Sequence, residues 1–149
     1  MATTVADPVF VDTNVLVYST RPLSAHHAAA ARALARIGAG GATLLISPQI
    51  LREYLAVVTR PQATAPGLPM PAAINDVHRF RTMFRVAEDR ASVLDRLIEI
   101  LSAHRVAGRQ VHDANVVATM LDCRVHRLLT FNGADFKRFV PLIEIDPLA

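Results

Sequence analysis

The sequence predicts an α/β fold, a three-layer sandwich whose mostly parallel central sheet is flanked by helices, and three observations carry that expectation. Apolar runs with little polar alternation, at residues 8–11, 43–46, 128–131 and 142–145, read as strands buried on both faces, the pattern of parallel pairing. Amphipathic stretches of helical period lie between them, and strands that alternate with helices imply crossover connections packed over a sheet. A length of 149 residues is that of one domain able to bury a hydrophobic core.

Taken in order, Pro8-Val9-Phe10-Val11 ends at Asp12-Thr13-Asn14, which puts Asp12 at a strand's C-terminal end. A helix is expected from Ser24, as N-cap, to Ile37, where Gly38, Gly40 and Gly41 stop it. After the strand at 43–46, Ser47-Pro48 is a strong helix start, because proline at the first helical position forfeits no hydrogen bond. Ile50, Leu51, Tyr54, Leu55 and Val58 then form an apolar stripe, with the carboxylate of Glu53 at its margin. Residues 60–73, RPQATAPGLPMPAA, read as a loop or arm. Further on, 74–83 reads as a short helix, 84–87 as a strand and 92–104 as an amphipathic helix on Val93, Leu97, Ile100 and Leu101. Gly108 breaks the chain before Asp113 opens a helix whose apolar face is Val116, Val117, Met120 and Leu121.

Composition narrows the function classes. Charged residues interrupt every apolar stretch well short of the ~18 residues a membrane span needs, and Met1-Ala-Thr-Thr-Val-Ala-Asp has neither the basic nor the apolar region of a secretory signal. A lone Cys123 excludes an internal disulfide and suits a cytoplasmic protein. The net charge is +3, and of 16 basic residues only Lys137 is a lysine. Arginine's planar fork matches phosphate oxygens, although a GC-rich genome would enrich it as well. With several of the 13 acids gathered in one pocket, the remaining surface is more basic than the net charge shows, which suits a polyanionic substrate.

The acids carry the chemistry. In open α/β sheets ligands bind outside the carboxyl ends of the strands; Asp12 lies at such an end, Asp113 in the first turn of a helix, and Asp135 just beyond the strand at 128–131. Carboxylates gathered there repel one another unless a cation neutralises them, and oxygen ligands without clustered Cys or His select Mg²⁺ or Mn²⁺ over zinc. One or two such ions would support phosphodiester hydrolysis without a covalent intermediate. Singly, each acid has an ordinary role open to it: Asp12 or Asp113 as a helix cap, Glu53 reaching to water, Asp135 in a loop. Jointly, four acids at one end of one sheet point to a site.

VDTNVLVY at 11–18, REYL at 52–55, VHDANVVATML at 111–121 and LLTFNGADF at 128–136 resemble, in order, the signature segments of PIN-domain ribonucleases, most of all the VapC-like toxins of type II toxin–antitoxin pairs. The resemblance implies one PIN-like domain over 1–149, an endoribonuclease dependent on Mg²⁺ or Mn²⁺, an RNA substrate, an antitoxin protein as partner and a homodimer. It assigns Asp12, Glu53 and Asp113 to the family's acidic positions. At the fourth position many members carry an acid two residues after the motif's threonine, where this chain has Asn132; the nearest acid is Asp135. The expected catalytic set is therefore Asp12, Glu53, Asp113 and Asp135, with Asp12, Asp113 and Asp135 holding metal and Thr13, Asn14, Thr130 and Asn132 in support.

Other residues invite weaker readings. His112 beside Asp113 reads as structural or solvent-facing, and His26 and His27 as ordinary members of an exposed helix. Tyr54 and Phe80 could stack on bases or belong to the core. Arg79, Arg81 and Arg85 could form an RNA-facing strip or a solvated face. Two competing functions remain: a binding module for RNA or protein on the same fold with its metal site degraded at Asn132, and a phosphoacceptor domain, which would need a lysine on a late strand where only Lys137 is on offer.

Overall fold

A computed structural model describes residues 5–146 and 148; Met1 to Thr4, part of the segment read against a secretory signal, lie outside the described residues. Five strands, β1 (Val9–Val11), β2 (Leu44–Ile46), β3 (Arg85–Val86), β4 (Arg127–Leu129) and β5 (Glu144–Asp146), form one sheet in the order β3-β2-β1-β4-β5, every neighbouring pair parallel. The helices are α1 (Thr13–Ser19), α2 (His27–Ala39), α3 (Pro48–Thr59), α4 (Met70–Met83), α5 (Ala91–Ala103), α6 (Gln110–Asp122) and the single turn α7 (Gly133–Phe136), which runs on into a 3₁₀ turn.

The strand order explains the layers. Right-handed crossovers place α1–α4, which carry the chain from β1 out to β3, over one face, and α5–α7, which carry it back to β4 and β5, over the other. Helix contacts divide the same way: α1 packs on α2 and α3, α3 on α4, α5 on α6 and α6 on α7. The sheet is thus covered on both sides, and Val9, Phe10, Val11, Leu128 and Leu129 are fully buried. Each large apolar side chain removed from water in this way contributes roughly 1.5–3 kcal/mol.

Strands end earlier or begin later than the apolar runs. β4 stops at Leu129, leaving Thr130 and Phe131 as loop, and β5 begins at Glu144, because Leu142 and Ile143 donate to the Phe139 carbonyl in a turn. The sequence reading missed α1. Its Val15-Leu16-Val17 core favours strand, but the three are buried between sheet and neighbouring helices, and packing overrides propensity.

Ser24 is not the N-cap of α2. Its hydroxyl accepts from the His26 amide in a turn before the helix, which starts at His27. Ser47, by contrast, caps α3 as expected, accepting from the Ile50 amide at 3.3 Å with Pro48 in the first turn. Likewise α6 starts at Gln110, three residues before Asp113, so Asp113 is no N-cap.

The arm expected at 60–73 is shorter, since α4 begins at Met70. Pro71 lies in its first turn, where proline is compatible with helix. What remains folds back on the end of α3, the Leu68 amide donating to the Val58 carbonyl at 2.8 Å. A β-carbon on Gly67 would lie 2.0 Å from the Thr59 carbonyl oxygen and 2.4 Å from its carbon, both rigid backbone. Gly67→Ala should therefore destabilise the protein by roughly 1–3 kcal/mol, seen as a lower urea midpoint; an unchanged midpoint would mean that the arm does not rest on α3.

Tyr54 and Phe80 belong to the core, at 0% and 5% exposure, so neither is free to stack on a base. Their rings meet edge to face, and the Tyr54 hydroxyl donates to the buried Asp76 at 2.7 Å. Arg79 is ion-paired with that same Asp76, whereas Arg81 and Arg85 are exposed. At the sheet's other edge, Arg36 and Arg127 both reach the buried carboxylate of Asp146.

Candidate active site

The strand order reverses direction between β1 and β4: the chain leaves β1 toward β2 and returns from β3 to β4 on β1's other side. Beyond the carboxyl ends of two such strands their outgoing loops diverge and leave a crevice. Asp12 follows β1 directly and Thr130 follows β4 directly, and they meet there, the Thr130 hydroxyl donating to Asp12 Oδ2 at 2.7 Å.

Asp12 is the N-cap of α1. Its extended backbone lets Oδ1 accept from the Thr13 amide at 2.7 Å. Asn14 Nδ2 approaches Asp12 Oδ2 at 3.2 Å and Thr130 Oγ1 at 3.3 Å, while Asn14 Oδ1 accepts from the Phe131 amide at 3.1 Å. Thr130 Oγ1 also accepts from the Asn132 amide. The supporting trio of Thr13, Asn14 and Thr130 thus fixes one carboxylate and closes the β4 loop over it. Asn132 is drawn in by its backbone, its side chain forming no cap bond to α7.

Glu53 comes from the face of α3 that leans on α1. Thr13 Oγ1 donates to Glu53 Oε2 and Gln49 Nε2 to Oε1, each at 2.9 Å, so both carboxylate oxygens are held. Gln49 does more than this. Its amide also donates to the His112 carbonyl at 3.0 Å, and its oxygen accepts from Asn115 Nδ2 at 2.6 Å. One buried side chain thereby ties α3, on one face of the sheet, to α6 on the other. Sequence reasoning passed over both Gln49 and Asn115. The available signal was spacing, for Gln49 lies one turn before Glu53 and Asn115 two residues after Asp113. His112 is exposed, as expected, and contributes its backbone.

Asp113 stands half-buried in the first turn of α6 and Asp135 exposed in α7. The electrostatics couple the four acids. Burial pushes Asp12 up to about 6, with the charges of Glu53 and Asp113 adding to the rise against the hydrogen bonds from Thr130 and Thr13. Asp113 is also raised, first by burial and then by Asp135 and Glu53, while Arg138 opposes the shift. Glu53 and Asp113 thus make Asp12 harder to ionise, and Asp135 and Glu53 do the same to Asp113, an arrangement that a cation would relieve.

The expected residues share a field more than a single point. Among the described residues, no group of three or more His, Cys, Asp or Glu side chains is arranged to hold a metal ion. The donor chemistry nonetheless fits a hard cation: the acids supply oxygen only, and Mg²⁺ is commonly held by one or two carboxylates with water completing its octahedron. Asp12, buried, and Asp113, half-buried, are the two of this set whose proton affinities are raised, in each case first by burial and then by neighbouring acids. Asp135 is placed at the rim beside Asp113.

No curated protein matches the chain in sequence. Solved structures do match in fold. VapC20 of Mycobacterium tuberculosis, described as a Sarcin-Ricin loop cleaving toxin, is similar at 23% identity and a TM-score of 0.68, over 93% of this chain and 99% of that one. VapBC of Salmonella typhimurium bound to DNA gives 16% and 0.69 over 97% and 100%. VapBC2 of Rickettsia felis bound to a promoter fragment gives 18% and 0.66 over 93% and 96%. The PIN-domain family model matches residues 9–140, which include all four acids and every strand but β5. Together with the five-stranded parallel sheet and the site at its reversal point, that match shows that this chain belongs to the PIN-domain family.

Proposed function

We propose that this chain is a divalent-metal-dependent endoribonuclease and the toxin of a toxin–antitoxin pair. The observation that carries the reading is that Asp12, Glu53 and Asp113, from three distant segments, lie within electrostatic reach of one another, with Asp12 at the carboxyl end of β1 where the strand order reverses. RNA as substrate is supported by the similarity to a toxin described as cleaving the Sarcin-Ricin loop, and an antitoxin partner by the similarity to VapBC complexes. A homodimer and a cytoplasmic setting are the expectations that go with this reading; among the described residues no helix is long and apolar enough to cross a membrane.

In the proposed reaction the oxygen of a water adds to phosphorus as the ester P–O bond breaks. Asp12 and Asp113 would hold Mg²⁺ or Mn²⁺, one or two ions, with Asp135 joining directly or through water. Bound there, the ion would lower the proton affinity of water and offset the phosphate's charge. Thr13, Asn14 and Thr130 keep Asp12 in one orientation, so no rearrangement is needed as charge develops. Glu53, fixed at both oxygens, retains lone pairs with which to orient the attacking water.

A purified assay tests this. Asp113→Asn should lose cleavage of single-stranded RNA by at least about 100-fold with an unchanged circular dichroism spectrum, and EDTA should silence the wild type to the same level. Equal cleavage by the two proteins would overturn the assignment. Asn132, where many relatives carry an acid, favours one second reading, a PIN-fold binding module. Absence of calorimetric Mn²⁺ binding at millimolar concentration would select it.

A further inference from the structure

Three aromatic rings meet beside the acids and have no part in the reaction above. Tyr18, His26 and Phe131 pack with centroids 4.8 Å apart for Tyr18–His26 and 5.0 Å for each other pair. Tyr18 and Phe131 are half-buried and edge to face at 87°. His26 lies tilted on both, at 48° and 50°, and is exposed, so it is the outermost ring of the three.

Their position relative to the acids is fixed. Phe131 follows Thr130, the residue bonded to Asp12, and its amide is held by Asn14. Tyr18 is four residues after Asn14 on α1, one turn and roughly 5–6 Å along the axis, and its carbonyl is bonded to the His27 ring at 2.9 Å. The rings therefore border the carboxylates, Phe131 through its neighbour Thr130 and Tyr18 through the helix that Asp12 caps.

From this we infer that Tyr18, His26 and Phe131 form a stacking shelf for one unpaired base of a single-stranded RNA, the base next to the bond that is cut. The inference rests on the nuclease reading above and adds where the substrate's base goes. An apolar protein anchor is the weaker occupant, because the outer ring is an imidazole and the shelf borders a site for a phosphodiester. Single-stranded RNA is held largely by stacking of unstacked bases on aromatic side chains, histidine included.

The test uses a short oligoribonucleotide carrying the cleaved bond, intact or with an abasic ribose on one side of that bond. Removing the base on one side should cost the wild type on the order of 10-fold in kcat/KM, within the range stacking supplies. His26→Ala should cost a similar factor on the intact strand, and the two enzymes should converge on the abasic one. Phe131→Leu, which keeps apolar volume but no aromatic face, should behave in the same way. If His26→Ala impairs both substrates equally, or neither, the shelf is overturned; so too if it weakens capture of a protein partner while RNA cleavage is untouched. With 2-aminopurine at the same position, binding should quench the wild type's signal more than the variant's. Quenching without cleavage would remove the nuclease reading and keep the shelf, whereas cleavage without His26-dependent quenching would remove the shelf alone.

Discussion

Asp12→Asn is expected to abolish cleavage and, in metal-free buffer above pH 6, to melt several degrees higher than the wild type. The loss follows from the removal of a buried charge at the point where the acids converge, and should reach at least about 100-fold. The gain follows from linkage. Asp12 titrates near 6 in the folded protein against 3.8 for an ordinary aspartate, mainly because it is buried. The folded state therefore binds protons more readily than the unfolded one, so this group's contribution declines as pH rises from about 4 to 6, and its penalty is complete above 6. The rise from 3.8 to about 6 corresponds to roughly 3 kcal/mol.

Asparagine keeps an acceptor for the Thr13 amide but places an NH₂ where Oδ2 accepts from Thr130 and Asn14, which offsets part of that sum. A net gain of roughly 1–2 kcal/mol raises the melting temperature of a domain this size by about 3–6 °C. Scanning calorimetry in EDTA at pH 7.5 and pH 4 checks both halves, since the variant's advantage should be lost at the lower pH, where only the cost of the misplaced NH₂ remains. Saturating Mn²⁺ should reverse the order by stabilising only the wild type. A variant less stable at both pH values would mean that Asp12 is a structural cap and no more.

Gln49→Leu should show the opposite combination, falling in stability and in rate together. The glutamine is 8% exposed and serves Glu53, the His112 carbonyl and Asn115 simultaneously. Leucine fills a similar volume but leaves all three without their partner, at roughly 1–3 kcal/mol for each group that water does not reach. We expect a loss of about 2–4 kcal/mol overall and, measured well below the transition where the variant is fully folded, a cleavage rate roughly 10- to 100-fold lower, as when the partner of an active carboxylate is removed. Undiminished cleavage by the folded variant would show that Glu53 needs no such holder.

How much of this was legible in the sequence follows from the kind of signal each part leaves. Runs such as Val9-Phe10-Val11 exposed the parallel sheet because burial on both faces forbids polar alternation. Asp12 and Asp113 were visible as acids beside apolar neighbours. Helix α1 was not, since Val15, Leu16 and Val17 are helical through packing alone. The bridge from Gln49 to Asn115 was illegible for a different reason: neutral amides carry no periodicity, and their pairing depends on how α3 and α6 approach across the sheet's end. His26 read as an ordinary member of an exposed helix because its two ring partners lie on other segments.

The strand order also bears on the chain as it is made. Asp12 directly follows the first strand, yet the hydroxyl that orients it arrives 118 residues later, and β1 cannot pair with β4 until residues 127–129 exist. Parallel pairings of such long range form late in folding. A chain still growing on the ribosome therefore carries Asp12 without the hydroxyl that orients it until Thr130 has been made, and the cleavage proposed above would be silent up to that point.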